Sequence, residues 1–283
     1  MDRFMHLMGL HGKSFLPLFL GFGCNVPAVL GTRVIESQRG RLLTTMLVPL
    51  VPCTARMMVL AFITPIFFGA AAPLVAWSLV GLSLLVLAVS GVLINKVAFG
   101  GERAAFIMEL PLYHLPNWRT IGLSVGQRLL SFLRKAGTII LAVSVVVWAL
   151  ATLPYGQVET SILAALGRGL APLGSLVGLD WRMMVALLTS FVAKENAVAT
   201  LGVLYGSGER GLPQLLAAQV SPASGLAFLV VTMLFVPCVA TLAAMRQETR
   251  SWRWPLLGVA VQLLLSFGTG ALAYQLVRLV SGS

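Results

Sequence analysis

The chain of 283 residues is 58% hydrophobic and only 10% charged, with a mean hydropathy of +0.92, whereas a soluble domain carries about a quarter charged residues. Long apolar runs, rather than short alternating segments, exclude a β-barrel and indicate an all-α, polytopic helical membrane protein. The formal net charge of +11 falls in short loops between those runs, which is the signature of cytoplasmic loops; no aromatic–basic patch or zinc-finger spacing supports nucleic-acid binding.

Residues 1–12 read as a short amphipathic or partial helix without the ordered parts of a signal peptide. Gly12-Lys13-Ser14 is not a phosphate loop, because GxxxxGK[ST] requires glycine where Leu7 stands. No nucleotide site is read anywhere, and no enzymatic activity is expected. The run from Phe15 to Thr32 contains Gly21-Phe22-Gly23-Cys24-Asn25-Val26-Pro27-Ala28. Glycine loosens a helix and proline lacks the backbone donor, so a broken helix is expected here. In lipid such a break survives only against protein or beside a water-filled cavity, and transporters build substrate sites at such breaks.

Arg33, Arg39 and Arg41 make a basic loop. Leu42 to Phe68 is apolar but interrupted at Val48 to Arg56, and Ala72 to Ile94 is an uninterrupted span. Glu109 to Pro116, with two prolines, reads as an extended loop. Asn117 to Ala136 sets arginines among leucines, which suits an interfacial helix leading into the span Thr138–Leu153. Residues 157–179 are broken by Gly167, Gly169, Pro172 and Gly174. Trp181 to Tyr205 is long enough to cross but carries Lys194 and Glu195 in its middle, and 206–222 reads as a Gly/Ser/Pro loop. Ala223 to Met245 and Pro255 to Val280 are the last spans, with Trp252 and Trp254 in an interfacial belt. Six to eight membrane segments result.

Val51-Pro52-Cys53-Thr54-Ala55 recurs as Val236-Pro237-Cys238-Val239-Ala240, and each follows a loosely matching element, Leu18–Asn25 and Leu187–Lys194. Paired interruptions in two halves point to a transport site. Three cysteines without CxxC argue against a disulfide framework; Cys24, Cys53 and Cys238 are either small buried hydrophobes or ligands. Lys194 and Glu195 each cost about 2.5–3.5 kcal/mol in a span and are tolerated facing a cavity or a partner.

The stretches GFGCNVPAVLGTR, VPCTAR, MELPLYHLP, RKAGTIILAVSVVVW, FVAKENAVATLGVLY and VPCVATLAAMR run in the order of, and resemble, the membrane part of FeoB-type ferrous iron transporters. The resemblance implies two inverted Gate-type repeats with interrupted helices. It divides the chain into 1–68 (partial first Gate region and VPC helix), 69–116 (span and connecting loop) and 117–283 (second Gate region and C-terminal helices). It implies Fe²⁺ as the transported ion, with Cys24, Cys53, Glu195 and Cys238 as ligands and Asn25, Pro27, Pro52, Lys194 and Pro237 along the path. Thiolate with carboxylate or amide oxygen suits iron(II) over magnesium and calcium. The family's G-protein domain has no counterpart here, so a truncated or split member is expected, with the lipid bilayer, a separate GTPase polypeptide, a small FeoA-like protein and a possible homo-oligomer as partners, in the bacterial inner membrane. The competing readings are a Gate-fold solute or nucleoside carrier and a non-transporting assembly subunit.

Overall fold

The computed structural model describes residues 5, 10, 12–99, 117–153, 161–205 and 208–281. The sequence expectations for most of residues 1–12 and for the loop at 109–116 lie outside them. The described residues are helical, and no strand occurs among them. The first broken span is α1 (Phe15–Gly21) and α2 (Asn25–Gly31), separated by Phe22–Cys24. The second is α3 (Gln38–Leu47), a short 3-10 turn at Val48–Leu50, extended backbone through Cys53, and α4 (Thr54–Phe68). Then come α5 (Ala72–Phe99) and α6 (Trp118–Thr152).

In the second half, α7 (Ile162–Ser175) turns back onto α8 (Trp181–Ser190), and residues 191–195 separate α8 from α9 (Asn196–Leu204). Residues 206–222 are not simply a loop, because α10 (Gly208–Gln219) occupies most of them. Leu212 and Leu216, fully buried, share one face with Leu215 and pack on the main core; that i, i+3, i+4 spacing outweighs the glycines and Pro213. Finally α11 (Pro222–Leu234) and α12 (Val239–Thr249) flank the second VPC sequence, and α13 (Arg253–Ser281) ends the described chain.

Among the described residues, Gln38–Lys96, Pro222–Thr249 and Arg253–Leu279 are by length and composition apolar enough to cross a membrane, with Gly137–Thr152 and Ile162–Ser175 as shorter apolar helices. Large side chains left exposed, among them Leu74, Trp77, Leu264 and Leu279, make the outer surface apolar, as lipid requires. Inside, one core joins α4, α8, α9, α10 and α11, and a second joins α2, α3, α5 and α12. The halves interlock: α2 packs on α12, and α4 packs on α11.

Glu248 on α12, nearly buried, receives Arg33 at 2.6 Å, with the Arg33 Nε–H also donating to both carboxylate oxygens. That hydrogen bonding pushes the Arg33 guanidinium pKa further up. Arg39 donates to Asn95 at 3.0 Å and Arg41 to Glu248 O at 3.5 Å, so all three arginines of this basic stretch tie down neighbouring elements.

Gly178, at φ 74°, turns the chain from α7 towards α8, and a Cβ there would lie 2.2 Å from the Tyr274 ring on α13. Gly178→Ala is therefore expected to cost about 1–3 kcal/mol. Gly169→Ala, which meets open space, is expected to be neutral or slightly stabilising. Thermal unfolding in detergent compares the two.

Candidate transport site

Breaking a helix in an apolar interior frees carbonyls that water cannot reach, so each must find a donor. In the first VPC segment the donors are identifiable. The Val51 N–H donates to Val48 O, and Ser83 on α5 donates to Leu50 O at 2.9 Å. Arg56, fully buried in the first turn of α4, donates to Pro49 O at 2.6 Å and to Val51 O at 3.4 Å. Its other terminal nitrogen crosses to Phe235 O, in the second VPC segment. Lys194, 3% exposed, donates to Val236 O and lies 5.0 Å from the centre of the Phe235 ring. Two buried cations thus hold both VPC turns.

The helix starts supply the remaining donors in a repeated way. Thr54, the first residue of α4, donates its N–H at 3.3 Å and its hydroxyl at 2.8 Å to Gly23 O in the first break. Val239, the first residue of α12, donates its N–H to Phe191 O in the second break at 2.8 Å. Gly21 permits the first of these approaches, since a Cβ there would come within 3.1 Å of the Val51 Cβ.

The expected site residues occupy one kind of position. Cys24, Cys53, Glu195 and Cys238 are the N-cap residues of α2, α4, α9 and α12, and none makes a side-chain capping bond. Ser37, Asn117, Ser161, Asp180 and Ser221 instead cap their helices with a side-chain oxygen, the ordinary use of that position. The thiols are free. Cys24 lies within electrostatic range of both Cys53 and Cys238, and Lys194 and Arg56 lie within range of Cys53 and Cys238. Cys238 also contacts Thr241 at 3.1 Å. Buried Asn25 leaves its carbonyl oxygen unpartnered.

Other expectations are changed. Cys24 is exposed, and Cys53 and Cys238 are half-buried, so none is a fully buried packing group. Glu195 is exposed while Lys194 beside it is buried; both lie in the turn between α8 and α9, where Lys194 is drawn inward by its bond to Val236 O. Among the described residues no three Cys, His, Asp or Glu side chains are grouped closely enough to hold one ion together. Pro27 does not break its helix, because it falls in the first turn of α2, where the missing N–H has no intrahelical role. The carbonyls preceding the buried Pro52 and Pro237 are taken by Arg56 and Lys194 and are not bare ligands. Arg56 is the residue that sequence reading passed over; its signal was a charge inside the apolar run Leu42–Phe68.

Interlocked broken helices with an apolar outer surface define an all-α, multi-pass membrane protein. The family model described as Gate, nucleoside recognition, matches residues 1–67 and 133–252, and that described as ferrous iron transport protein B C terminus matches 76–128. The chain belongs to the Gate family and, with the FeoB C-terminal segment set between its two Gate portions, to the membrane part of the FeoB type.

The Fe(2+) transporter FeoB of Staphylococcus aureus (strain COL) is 37% identical over 284 residues, covering 99% of this chain and 43% of that protein. FeoB of Methanocaldococcus jannaschii is 36% identical over 278 residues, covering 94% and 42%. A Porphyromonas gingivalis protein, described as a fusion of Fe(2+) transport protein A with Fe(2+) transporter FeoB, is 32% identical over 329 residues, covering 98% and 39%. The chain therefore spans about two fifths of the length of these relatives. No solved structure matches it.

Arg56→Met is expected to strand carbonyls in both VPC turns at about 1–3 kcal/mol each. Arg56→Lys keeps the charge but cannot span both turns, and should fall between. Thermal unfolding of the three proteins in one detergent reads the order; equal stability would contradict the clamp.

Proposed function

We propose that this chain forms the membrane path of a ferrous iron transporter, with Fe²⁺ passing the uncapped starts of the broken helices. The observation that carries this reading is that three free thiols occupy N-cap positions of the broken helices without capping anything. The names of the relatives, all Fe(2+) transporters, support the choice of ion. Cys24, Cys53 and Cys238 supply soft ligands, and the unpartnered oxygen of Asn25 supplies a harder one. An ion engaging these groups a few at a time binds weakly enough to leave, which conduction requires. Glu195, exposed at the start of α9, receives the ion at an entrance or exit of that path. Pro52 and Pro237 shape the turns that carry two of the thiols, and Lys194 fixes one of them.

In this reading the halves are inverted Gate repeats, with segments 1–68, 69–116 and 117–283 as first Gate region, connecting span and second Gate region. The nucleotide chemistry belongs to a GTPase domain outside these residues. A FeoA-like protein is a partner, as the fused relative suggests, and the location is the inner membrane of a bacterium. A nucleoside carrier is less well supported: the cavity beside the second break, about 270 Å³ and lined by Ser144, Thr189, Asn196 and Thr200 among apolar groups, is smaller than the roughly 300–1,000 Å³ of small-molecule sites.

Uptake of radioactive Fe²⁺ into vesicles containing the chain, with and without a separately supplied GTPase polypeptide, tests the reading. Uptake is expected, to a greater extent with the GTPase. Cys53→Ser and Cys238→Ser are each expected to weaken Fe²⁺ binding at least about tenfold, with Glu195→Gln weaker in effect. Parent-like iron binding in all three variants would remove these residues from the path.

A further inference from the structure

A second cavity, of about 950 Å³, lies between α2, α6 and α12 beside the Arg33–Glu248 pair. Its two ends differ in chemistry. One is apolar, formed by Val26, Leu30, Ile139, Ala240, Ala243 and Ala244. The other carries Arg33, Arg246 and Arg250, with the amides of Gln127 and Gln247.

Among the described residues, the charge at that end is only partly compensated. Arg33 is matched by Glu248. Among the described residues, neither Arg246 nor Arg250 has a carboxylate partner. Arg246 lies 4.5 Å from the centre of the Trp252 ring, which holds it at the rim without neutralising it. Arg250 ends α12 in the left-handed region at φ 51°, a conformation that costs free energy for any residue but glycine. The C-terminus of α12 offers only about half a negative charge against the two guanidinium groups. The excess of guanidinium groups favours an anion over a cation here.

We propose that this cavity binds an anionic phospholipid. The phosphate sits between Arg246 and Arg250 and accepts from the side-chain amides of Gln127 and Gln247. An acyl chain runs along Leu30, Ile139 and Ala243. Basic pockets between membrane helices on the cytoplasmic side are suited to such headgroups. The volume is at the upper end of the roughly 300–1,000 Å³ of small-molecule sites, and the apolar end is of no use to a soluble anion. The site does not depend on which ion the transporter carries.

Native mass spectrometry of the full chain in neutral detergent tests this, with phosphatidylglycerol, phosphatidylcholine of the same chains, and inorganic phosphate offered in turn. Phosphatidylglycerol is expected to be retained in preference to phosphatidylcholine. In the double variant Arg246→Gln/Arg250→Gln its affinity should fall about thirtyfold, while Arg246→Lys/Arg250→Lys keeps most of it. Ala243→Trp, which fills the apolar end and leaves the arginines intact, should also abolish retention. Equal retention of phosphatidylcholine, unchanged retention in Ala243→Trp, or displacement of the lipid by inorganic phosphate would each overturn the proposal.

Discussion

A carbonyl that loses its helical partner inside an apolar interior must be given another donor, and the rest of this structure follows from how that is done. Four helices are interrupted, and the freed oxygens at Pro49, Val51, Phe235 and Val236 go to just two side chains, Arg56 and Lys194. Burying two cations is costly by itself, but each is offset by hydrogen bonds to carbonyl dipoles that would otherwise stand unpaired. Because Arg56 reaches from one VPC turn to the other, the two halves are joined at the place where each is weakest.

That arrangement decides where chemistry can occur. The break carbonyls of Gly23, Pro49, Val51, Phe191, Phe235 and Val236 are taken by protein donors, so these oxygens are not free for a passing ion. The starts of the following helices remain, and there the chain places Cys24, Cys53, Glu195 and Cys238 instead of capping residues. Helix starts carry partial positive charge, which suits thiolate and carboxylate side chains more than bare cations. On the proposed iron path those side chains hold the cation, so that ligand atoms, rather than the backbone, would set its selectivity.

Much of this was legible in the sequence because it depended on local backbone chemistry. Glycine at 21 and 23, the two VPC repeats, and the Lys194-Glu195 pair marked the interruptions, since none of these fits an ordinary membrane helix. What a side chain touches was not legible. Arg56 reads as one charge in an apolar run until α11 brings Phe235 beside it. Glu195 and Lys194 read alike until the break at 191–195 turns one outward and the other inward. Pro27 looked like the cause of the first break, yet it sits in the first turn of the helix that follows it. The helix at 208–219 was hidden by its glycines and proline, whose local preferences lost to the burial of Leu212 and Leu216.

The most direct test of the account is the set of atoms that surrounds the ion. X-ray absorption at the iron edge, on the reduced chain loaded with Fe²⁺ in detergent, distinguishes sulfur from oxygen and nitrogen in the first shell. Sulfur scatterers are expected in the parent and should disappear in the triple variant Cys24→Ser/Cys53→Ser/Cys238→Ser. A first shell of oxygen and nitrogen alone in the parent would contradict an iron path built on the uncapped helix starts.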